Sequence, residues 1–280
     1  MQIREINKGL FVADLADNHY GTGKFPILEH ILKKREPEIK KHKKVALLTS
    51  GNGEAIPFYF LCNKMGFESE ILCINEYAQS QREFSILASY GKDVKYFTSF
   101  FYPEERKEVY NLLKLHVKEN DLYLLDLRED PLGVLFAQNL YGTEIRNFIS
   151  DQYKDFMATT FSIICPLDSL ETTLGIARCL KTSSRFIGER AILKIIGVGS
   201  KNVNGLKPLS EACLFPTYTQ FRGDKLLDDV LICEGSWAVN NLFAGDGISL
   251  SSQGFALLNE ANGLDSDCVL IIQGHGITYD

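Results

Sequence analysis

Two short stretches of the sequence contain residues that could do chemistry, and Lys24 is in the first of them. It ends the loop N-H-Y-G-T-G-K, where small neighbours leave room for its amine to reach a carbonyl group. A lysine in such a loop can form a Schiff base, provided that its pKa is lowered enough to supply free amine. Most loop lysines are simply solvated, so this residue alone leaves both interpretations open.

The second stretch is the turn TSGNG at residues 49–53. An apolar run, residues 45–48, precedes it, and the helix-like sequence AIPFYFLCNKMGF begins shortly after it. Gly51 and Gly53 let backbone N–H groups approach a ligand, and the start of a helix adds a partial positive charge. This layout favours a carboxylate or phosphate as ligand, although a plain strand-to-helix connection would look similar. The short polar side chains beside the loop favour the anion site; they are those of Thr49, Ser50 and Asn52.

Apolar runs and helix-like segments alternate along the chain, which predicts parallel sheets with helices on their faces. The first series has strands at 9–16, 45–48, 70–74, 94–97 and 122–127, with helices at 27–35, 55–67, 79–90 and 104–117. The second series has strands at 161–165, 192–199, 229–233 and 268–276, with helices at 171–181 and 253–262. The looser pattern at 130–155 suggests a crossing between two domains. The expected fold class is α/β, with two three-layer α/β/α lobes, mostly parallel sheets and a cleft between the lobes.

Composition excludes several classes of function. The 280 residues carry a net charge of -6, and no basic face interleaved with aromatic residues stands out, so no nucleic-acid partner is expected. The seven cysteines lack C-x-x-C spacing, which predicts buried thiols in a reducing compartment and no zinc site. We find no signal peptide and no apolar run long enough to cross a membrane, so a cytoplasmic location is expected.

Five segments of the sequence carry recognisable motifs: NHYGTGK at 18–24, TSGNG at 49–53, LGIARCLK at 174–181, DGISLSSQGFALL at 246–258 and IIQGHGITYD at 271–280. In this order they resemble motifs of the pyridoxal-phosphate enzymes of the tryptophan synthase β-type fold. That group contains cysteine synthase, threonine synthase and threonine dehydratase. Residues 18–24 resemble its N-P-T-G-S-F-K segment, and TSGNG resembles its T/S-S/T-G-N-T turn. LGIARCLK at 174–181 is similar to T-G-V-A-R-Y-L-K, and DGISLSSQGFALL at 246–258 to E-G-I-x-V-x-P-S-S-A-A-A-L. The ending IIQGHGITYD at 271–280 resembles the T-G-H-G-L-K-D ending of threonine synthases.

The resemblance implies an activity and a cofactor. It predicts a pyridoxal-phosphate-dependent lyase or synthase that performs elimination or replacement on a small amino acid. The larger, cofactor-binding lobe would comprise residues 1–40 and 130–280, and the smaller, substrate-side lobe residues 41–129. Relatives commonly form homodimers, which predicts the same here.

The resemblance also implies roles for individual residues. Lys24 would carry the Schiff base and then act as the base. The implied cofactor-binding residues are Asn52 at the 3′ oxygen, Ser169, Thr172 and Thr173 at the phosphate, and Gln273 at the pyridine nitrogen. The implied substrate-binding residues are Thr49, Ser50, Gly51, Gly53 and, at the mouth of the cleft, Tyr141.

The sequence departs from the family at the phosphate loop. The family's G-x-G-T/N-G-G-T is P-L-D-S-L-E-T here, at residues 166–172. The glycines are missing, and Asp168 and Glu171 bring negative charge towards a dianion, which opposes binding. The alternative prediction is therefore a pseudoenzyme of the same fold that has lost the cofactor and binds a partner or small ligand. A third interpretation keeps the enzyme but moves its phosphate site. His275 could act in acid-base chemistry or be structural.

Overall fold

The structure is a computed structural model, and it describes residues 1–16, 22–49, 53–73, 82–97, 103–127, 130–156, 159–167, 170–182, 191–200, 226–233, 242–244, 248–250, 261 and 264–273. The chain divides into two compact units by its internal contacts. The first unit contains residues 1–23 and 131–278, and the second contains residues 24–130.

The strands in chain order are β1 (Gln2–Asn7), β2 (Leu10–Asp14), β3 (Lys44–Thr49), β4 (Ser69–Cys73), β5 (Val94–Tyr96), β6 (Leu122–Leu125), β7 (Thr160–Pro166), β8 (Ile192–Ser200), β9 (Asp229–Cys233), β10 (Leu242–Ala244), β11 (Ile248–Leu250) and β12 (Cys268–Gln273). The helices are α1 (Lys24–Ile39), α2 (Ala55–Met65), α3 (Arg82–Ser89), α4 (Pro103–Glu119), α5 (Pro131–Ala137), α6 (Thr143–Phe156) and α7 (Leu170–Thr182). A π-helical segment, Gln138–Gly142, joins α5 to α6.

The first unit contains a six-stranded sheet in the order β1-β2-β12-β7-β8-β9. Its strands run parallel except for β1, which pairs antiparallel with β2. All six residues of β12 are buried, as are all but the first of β7. Strands covered on both faces read as continuous apolar runs, which is why FSIIC and CVLII were recognisable in the sequence. A separate antiparallel pair is formed by β10 and β11.

The second unit contains a four-stranded, fully parallel sheet in the order β5-β4-β3-β6. The central strand β3 is buried from its second residue to its last, Thr49. The chain leaves β3 at Thr49 and enters α2 at Ala55, so this helix begins beside the carboxyl end of a buried parallel strand. Ligands of open α/β sheets bind at such strand ends.

The α/β fold class with mostly parallel sheets is confirmed, and most predicted strands and helices lie within a few residues of their predicted bounds. The chain passes from the second unit to the first at residues 130–131. The loose pattern predicted for 130–155 is wrong, because residues 131–156 form α5, the π-helical segment and α6 without a break. Its glycines suggested loops, yet Gly142 serves close packing. A Cβ atom on Gly142 would clash with the Cβ atom of Cys179 in α7. The strand β1 was not predicted, and the predicted helix at 253–262 falls outside the described residues except at residue 261, which is helical.

The boundary between the units falls before α1. The sequence grouped residues 1–40 together, whereas the contacts place α1 in the second unit. The physical reason is the apolar face of α1, where Ile27, Leu28, Ile31 and Leu32 are fully buried, and α1 contacts α2.

Five cysteines occupy buried positions as thiols, as the sequence predicted: Cys62, Cys73, Cys165, Cys179 and Cys268. Burial raises the pKa of Cys62, of Cys165 and of Cys268 to about 12. These three thiols are therefore protonated at neutral pH and serve as apolar core side chains.

Candidate active site

Lys24 lies in a buried cluster in the second unit, at the first position of α1. Its Nζ donates a hydrogen bond of 2.9 Å to Oε2 of Glu54. The other oxygen of that carboxylate, Oε1, accepts a hydrogen bond of 2.7 Å from the hydroxyl of Thr49. The three side chains come from the start of α1, the end of β3 and the residue before α2. Lys24 is 4% exposed, Glu54 5% and Thr49 1%, so the ion pair is almost dry.

The local backbone explains why Glu54 points at the lysine. Glu54 occupies the N-cap position of α2, but its side chain makes no capping bond to that helix. Its backbone carbonyl accepts the N–H of Phe58 and so starts the helical hydrogen bonding. The carboxylate is left available for Lys24 and Thr49. Gly53, with φ of 77°, supplies the left-handed backbone that turns the chain into the helix.

A second carboxylate, that of Glu83 in α3, occupies the N-terminus of α2. Its Oε1 accepts the N–H of Ala55 at 2.6 Å and that of Ile56 at 3.2 Å, and its Oε2 accepts the N–H of Gly53 at 3.1 Å. The first backbone N–H groups of a helix have no partner within the helix and bind anions readily. The predicted anion site therefore binds a carboxylate here, and that carboxylate belongs to the chain itself.

The two carboxylates influence each other. Burial, followed by the negative charge of Glu54, raises the pKa of Glu83 to about 7, while the three backbone N–H groups act to lower it. Glu83 therefore keeps its proton to a higher pH than an exposed glutamate does. Among the described residues the cluster holds one lysine and two glutamates, and its net charge depends on whether the carboxylates bind a further proton.

The first unit contains the other predicted site residues that the structure describes. Thr173 is fully buried, and its hydroxyl donates a 2.6 Å hydrogen bond to the carbonyl of Pro166 at the end of β7. Thr172 is also buried, and Glu171 in the first turn of α7 is 1% exposed. Gln273 ends β12, where its carbonyl accepts the N–H of Leu15 at 3.0 Å. Its side chain is 1% exposed.

Tyr141, assigned to the mouth of a cleft, is 3% exposed and lies in the π-helical segment. Its hydroxyl donates a 2.6 Å hydrogen bond to the carbonyl of Gly23, the residue before Lys24. Burial raises the pKa of Tyr141, and the charges of Glu144 and Glu171 raise it further. The phenol is therefore a neutral hydrogen-bond donor that holds the backbone next to the lysine.

The structure thus places Lys24 and Thr49 on one carboxylate, that of Glu54, and the N–H of Gly53 on another, that of Glu83. Four other candidate residues, with Asp168 and His275, fall outside the described residues: Ser50, Gly51, Asn52 and Ser169. Sequence reasoning missed Glu54 and Glu83. Glu54 could have been suspected, because an acidic residue directly after an anion-binding turn is anomalous. Glu83 gave no signal, because its pairing with α2 depends on the placement of α3.

Two kinds of feature are absent from the described part of the chain. No group of three or more His, Cys, Asp or Glu side chains there could hold a metal ion. No described helix is both long and apolar enough to cross a membrane.

The fold matches solved structures over nearly its whole length. A hydrogen-sulfide-producing enzyme from Fusobacterium nucleatum matches with a TM-score of 0.65 and 16% identity, covering 100% of this chain and 96% of that chain. An O-acetylserine-dependent cystathionine β-synthase from Helicobacter pylori matches with 0.66 and 16%, covering 96% and 88%. A cysteine synthase from Entamoeba histolytica matches with 0.67 and 15%, covering 98% and 81%. No protein-family model and no curated protein sequence matches the chain. The chain has the fold of the cysteine synthase group, as its motifs predicted.

The fit of pyridoxal phosphate can be tested at each end of the cofactor. At the aldehyde end, Lys24 supplies an amine in a dry environment, which fits. At the phosphate end, which the resemblance assigns to the start of α7, the described donors are the first backbone amides of α7 and Thr172, whereas the hydroxyl of Thr173 is already donated to Pro166. The buried carboxylate of Glu171 lies in the same turn and opposes a dianion. The described residues therefore fit the aldehyde of the cofactor better than its phosphate.

Proposed function

We propose that this protein is a pyridoxal-phosphate-dependent lyase or synthase that performs elimination or replacement on a small amino acid. One observation carries the proposal: a buried lysine amine lies in a cluster next to backbone amides that hold a carboxylate. The fold and the five sequence motifs support it. The proposed reaction is like that of threonine synthase or of cysteine synthase. The proposal also includes a cytoplasmic location and a homodimer.

The residues of this chain would divide the work as follows. When bound, the cofactor supplies an electron sink for negative charge at the α carbon of the amino acid. Lys24 anchors the cofactor and moves the proton at its Nζ atom. The amides at the N-terminus of α2 hold the substrate carboxylate, and they already hold one from Glu83 in the same way. Thr49, Ser50, Gly51 and Gly53 contribute to this site, so Glu83 must withdraw when substrate binds.

The assignments to the cofactor follow the resemblance and remain proposals. Asn52 would bind its 3′ oxygen, Gln273 its pyridine nitrogen, and Ser169 and Thr172 its phosphate. Thr173 would first have to give up its bond to the carbonyl of Pro166. Tyr141 would act indirectly, by fixing the backbone at Gly23.

A visible absorption spectrum tests the proposal. The purified protein, with pyridoxal phosphate added, should show a visible band that persists through dialysis, and Lys24→Ala should abolish it. Lys33→Ala is the matched control, because Lys33 lies in the same helix with an exposed side chain paired to Glu29. This control should keep the band. A wild-type protein that never acquires the band, or a band that survives Lys24→Ala, would overturn the proposal.

A second candidate function is favoured by the acidic side chains of the site. Glu54 pairs with the lysine, Glu83 fills the amides of α2, and Glu171 is buried at the start of α7. A chain that supplies its own anions at these positions suits a pseudoenzyme that binds a partner or small ligand without the cofactor. Thermal stabilisation by an amino acid, in a protein that takes up no pyridoxal phosphate, would favour this function. Turnover of an activated serine or threonine derivative would exclude it.

A further inference from the structure

We infer that Glu54 controls the reactivity of Lys24 by accepting the lysine proton, and that Thr49 orients Glu54 for this role. The inference deepens the proposed function and rests on it only in taking Lys24 as the reactive amine. It assigns a proton-accepting residue that none of the sequence motifs identified.

The geometry gives the two oxygens of Glu54 different tasks. Oε2 accepts from Nζ of Lys24 at 2.9 Å, and Oε1 accepts from the hydroxyl of Thr49 at 2.7 Å. The hydroxyl thereby fixes the rotation of the carboxyl group and directs Oε2 at the amine. Because the three groups lie on separate elements, the arrangement is set by packing and does not depend on one flexible loop. Such preorganisation is what a proton-transfer partner requires.

The charges around the pair explain why Lys24 is unreactive while Glu54 is ionised. A carboxylate at contact distance in a dry site favours the ammonium form, and an ammonium has no lone pair with which to attack a carbonyl. The described titratable group facing this pair from a neighbouring element is Glu83, whose charge is coupled to that of Glu54. Glu83 adds negative potential and so also favours the protonated lysine. In the wild type the amine is therefore held unreactive until its proton moves to Glu54, whereas loss of the Glu54 charge would free it.

The chemical step needs only Lys24, Glu54 and the aldehyde. A proton moves from Nζ of Lys24 to Oε2 of Glu54, which leaves a neutral amine and a neutral carboxylic acid. The nitrogen lone pair attacks the aldehyde carbon, and a carbon–nitrogen bond forms. The aldehyde oxygen leaves as water with the two remaining amine hydrogens. No net charge is created in the dry site, which keeps the desolvation cost of the step low.

The test measures the proton on Lys24 directly in the apoprotein. Protein labelled with ¹³C at the lysine ε carbons is titrated by NMR, and the Lys24 signal is identified from its loss in Lys24→Arg. In Glu54→Gln the midpoint for Lys24 should fall by about 1 to 3 pH units, since the opposite charge is lost. Thr49→Val should lower the Lys24 midpoint by less, because this variant keeps the charge of Glu54 but removes the hydrogen bond that orients its carboxylate. The Lys33 signal is the internal control and should not move.

A second readout follows the chemistry. Pyridoxal without phosphate, trapped with cyanoborohydride and located by peptide mass spectrometry, reports how often Lys24 condenses with an aldehyde. At pH 7, Lys24 of Glu54→Gln should be trapped faster than in the wild type, since more of its amine is neutral. Glu54→Asp keeps the negative charge on a shorter side chain, so its trapping rate should lie between those of the wild type and Glu54→Gln. This variant also allows the test if Glu54→Gln folds poorly.

An unchanged Lys24 midpoint together with an unchanged trapping rate in Glu54→Gln would overturn the inference. The proposed function can fail separately. A Lys24 midpoint that depends on Glu54, in a protein that takes up no pyridoxal phosphate, would uphold the inference and remove the proposed function.

Discussion

The helices α2 and α7 both begin just after a buried parallel strand, yet their N-termini are satisfied in different ways. The N-terminus of α2 receives a carboxylate from another helix, with Glu83 accepting three backbone N–H groups. The first turn of α7 contains its own buried carboxylate, that of Glu171. The hydroxyl of Thr173 in the same helix donates a hydrogen bond to the carbonyl of Pro166.

The difference shows that a helix N-terminus is only a potential anion site. At α2 the amides face an acceptor that tertiary packing delivers from another helix. At α7 the helix carries its own negative charge and is buried along its first eight residues, from Leu170 to Ala177. A phosphate there would compete with a local charge. We therefore expect the two helices to respond differently to mutation and to ligands.

The largest expected effect comes from removing the carboxylate at α2. Glu83→Ala leaves three buried N–H groups without this acceptor and should lower the free energy of unfolding by about 2–3 kcal/mol. Glu83→Gln retains one acceptor oxygen and carries no charge, so it should lose far less stability at pH 7 than Glu83→Ala. Denaturant unfolding, with hydrogen exchange at Ala55 and Ile56, measures both. An unchanged exchange rate in Glu83→Ala would contradict the role of this carboxylate.

The same residue predicts a pH dependence. The folded-state pKa of Glu83, about 7, lies above its ordinary value of 4.5, so the folded state binds the proton more tightly than the unfolded state. Its contribution to stability is therefore fully present below pH 4.5 and is lost as the pH rises through 7. Stability curves of the wild type and Glu83→Gln should converge at low pH and differ in slope between pH 4.5 and 7. Parallel curves would contradict a raised pKa.

At α7, the contact with α5 should contribute more to stability than the charge of Glu171 does. A Cβ atom on Gly175 would lie 2.7 Å from both the Cβ atom of Ala137 and the carbonyl oxygen of Val134. Gly175→Ala should therefore force α7 away from α5 and destabilise the first unit by about 1–3 kcal/mol. Asp151→Ala, at an exposed position in α6, is the control and should change stability little. A neutral Gly175→Ala would show that α7 tolerates displacement.

The charge at α7 should matter less than the contact. If the protein binds pyridoxal phosphate, Glu171→Gln should raise its affinity about fivefold, since it removes an opposing charge that costs about 1 kcal/mol. Glu144→Gln is the control, because that carboxylate lies in the first turn of α6 and is half exposed. Equal effects of the two substitutions on affinity, measured by titration at constant salt, would place the phosphate elsewhere.

The smallest effect concerns a carboxylate in open solvent. Asp267 is exposed, and its Oδ2 accepts from the N–H and hydroxyl groups of Thr159 and Thr160, so its pKa falls to about 2. This group contributes stability above pH 3.8 that is lost as the pH falls through 2. Asp267→Asn should therefore reduce stability at neutral pH and flatten the acid limb of the stability curve. The pKa of Asp267 is lowered and that of Glu83 is raised, because only Glu83 is buried next to another carboxylate.

Much of the fold was readable from local patterns. Continuous apolar runs marked β7 and β12, because both faces of these strands are covered. Glycines in the helical stretch at 131–156 misled the prediction, since Gly142 serves a contact with Cys179 that is distant in sequence. The assignment of α1 to the second unit also depended on packing, because its amphipathic face would suit either unit.

The sequence by itself determined the alternation of strands and helices, the lysine and the glycine-containing turn, because these depend on residues close together in the chain. Only the tertiary structure decided which charges meet. Glu54 reaches Lys24 across 30 positions of sequence, and Glu83 reaches Ala55 across 28. Such contacts depend on the distances and burial that folding creates, and burial then sets how strongly two charges interact. The protonation state of the lysine, and hence its chemistry, follows from that packing.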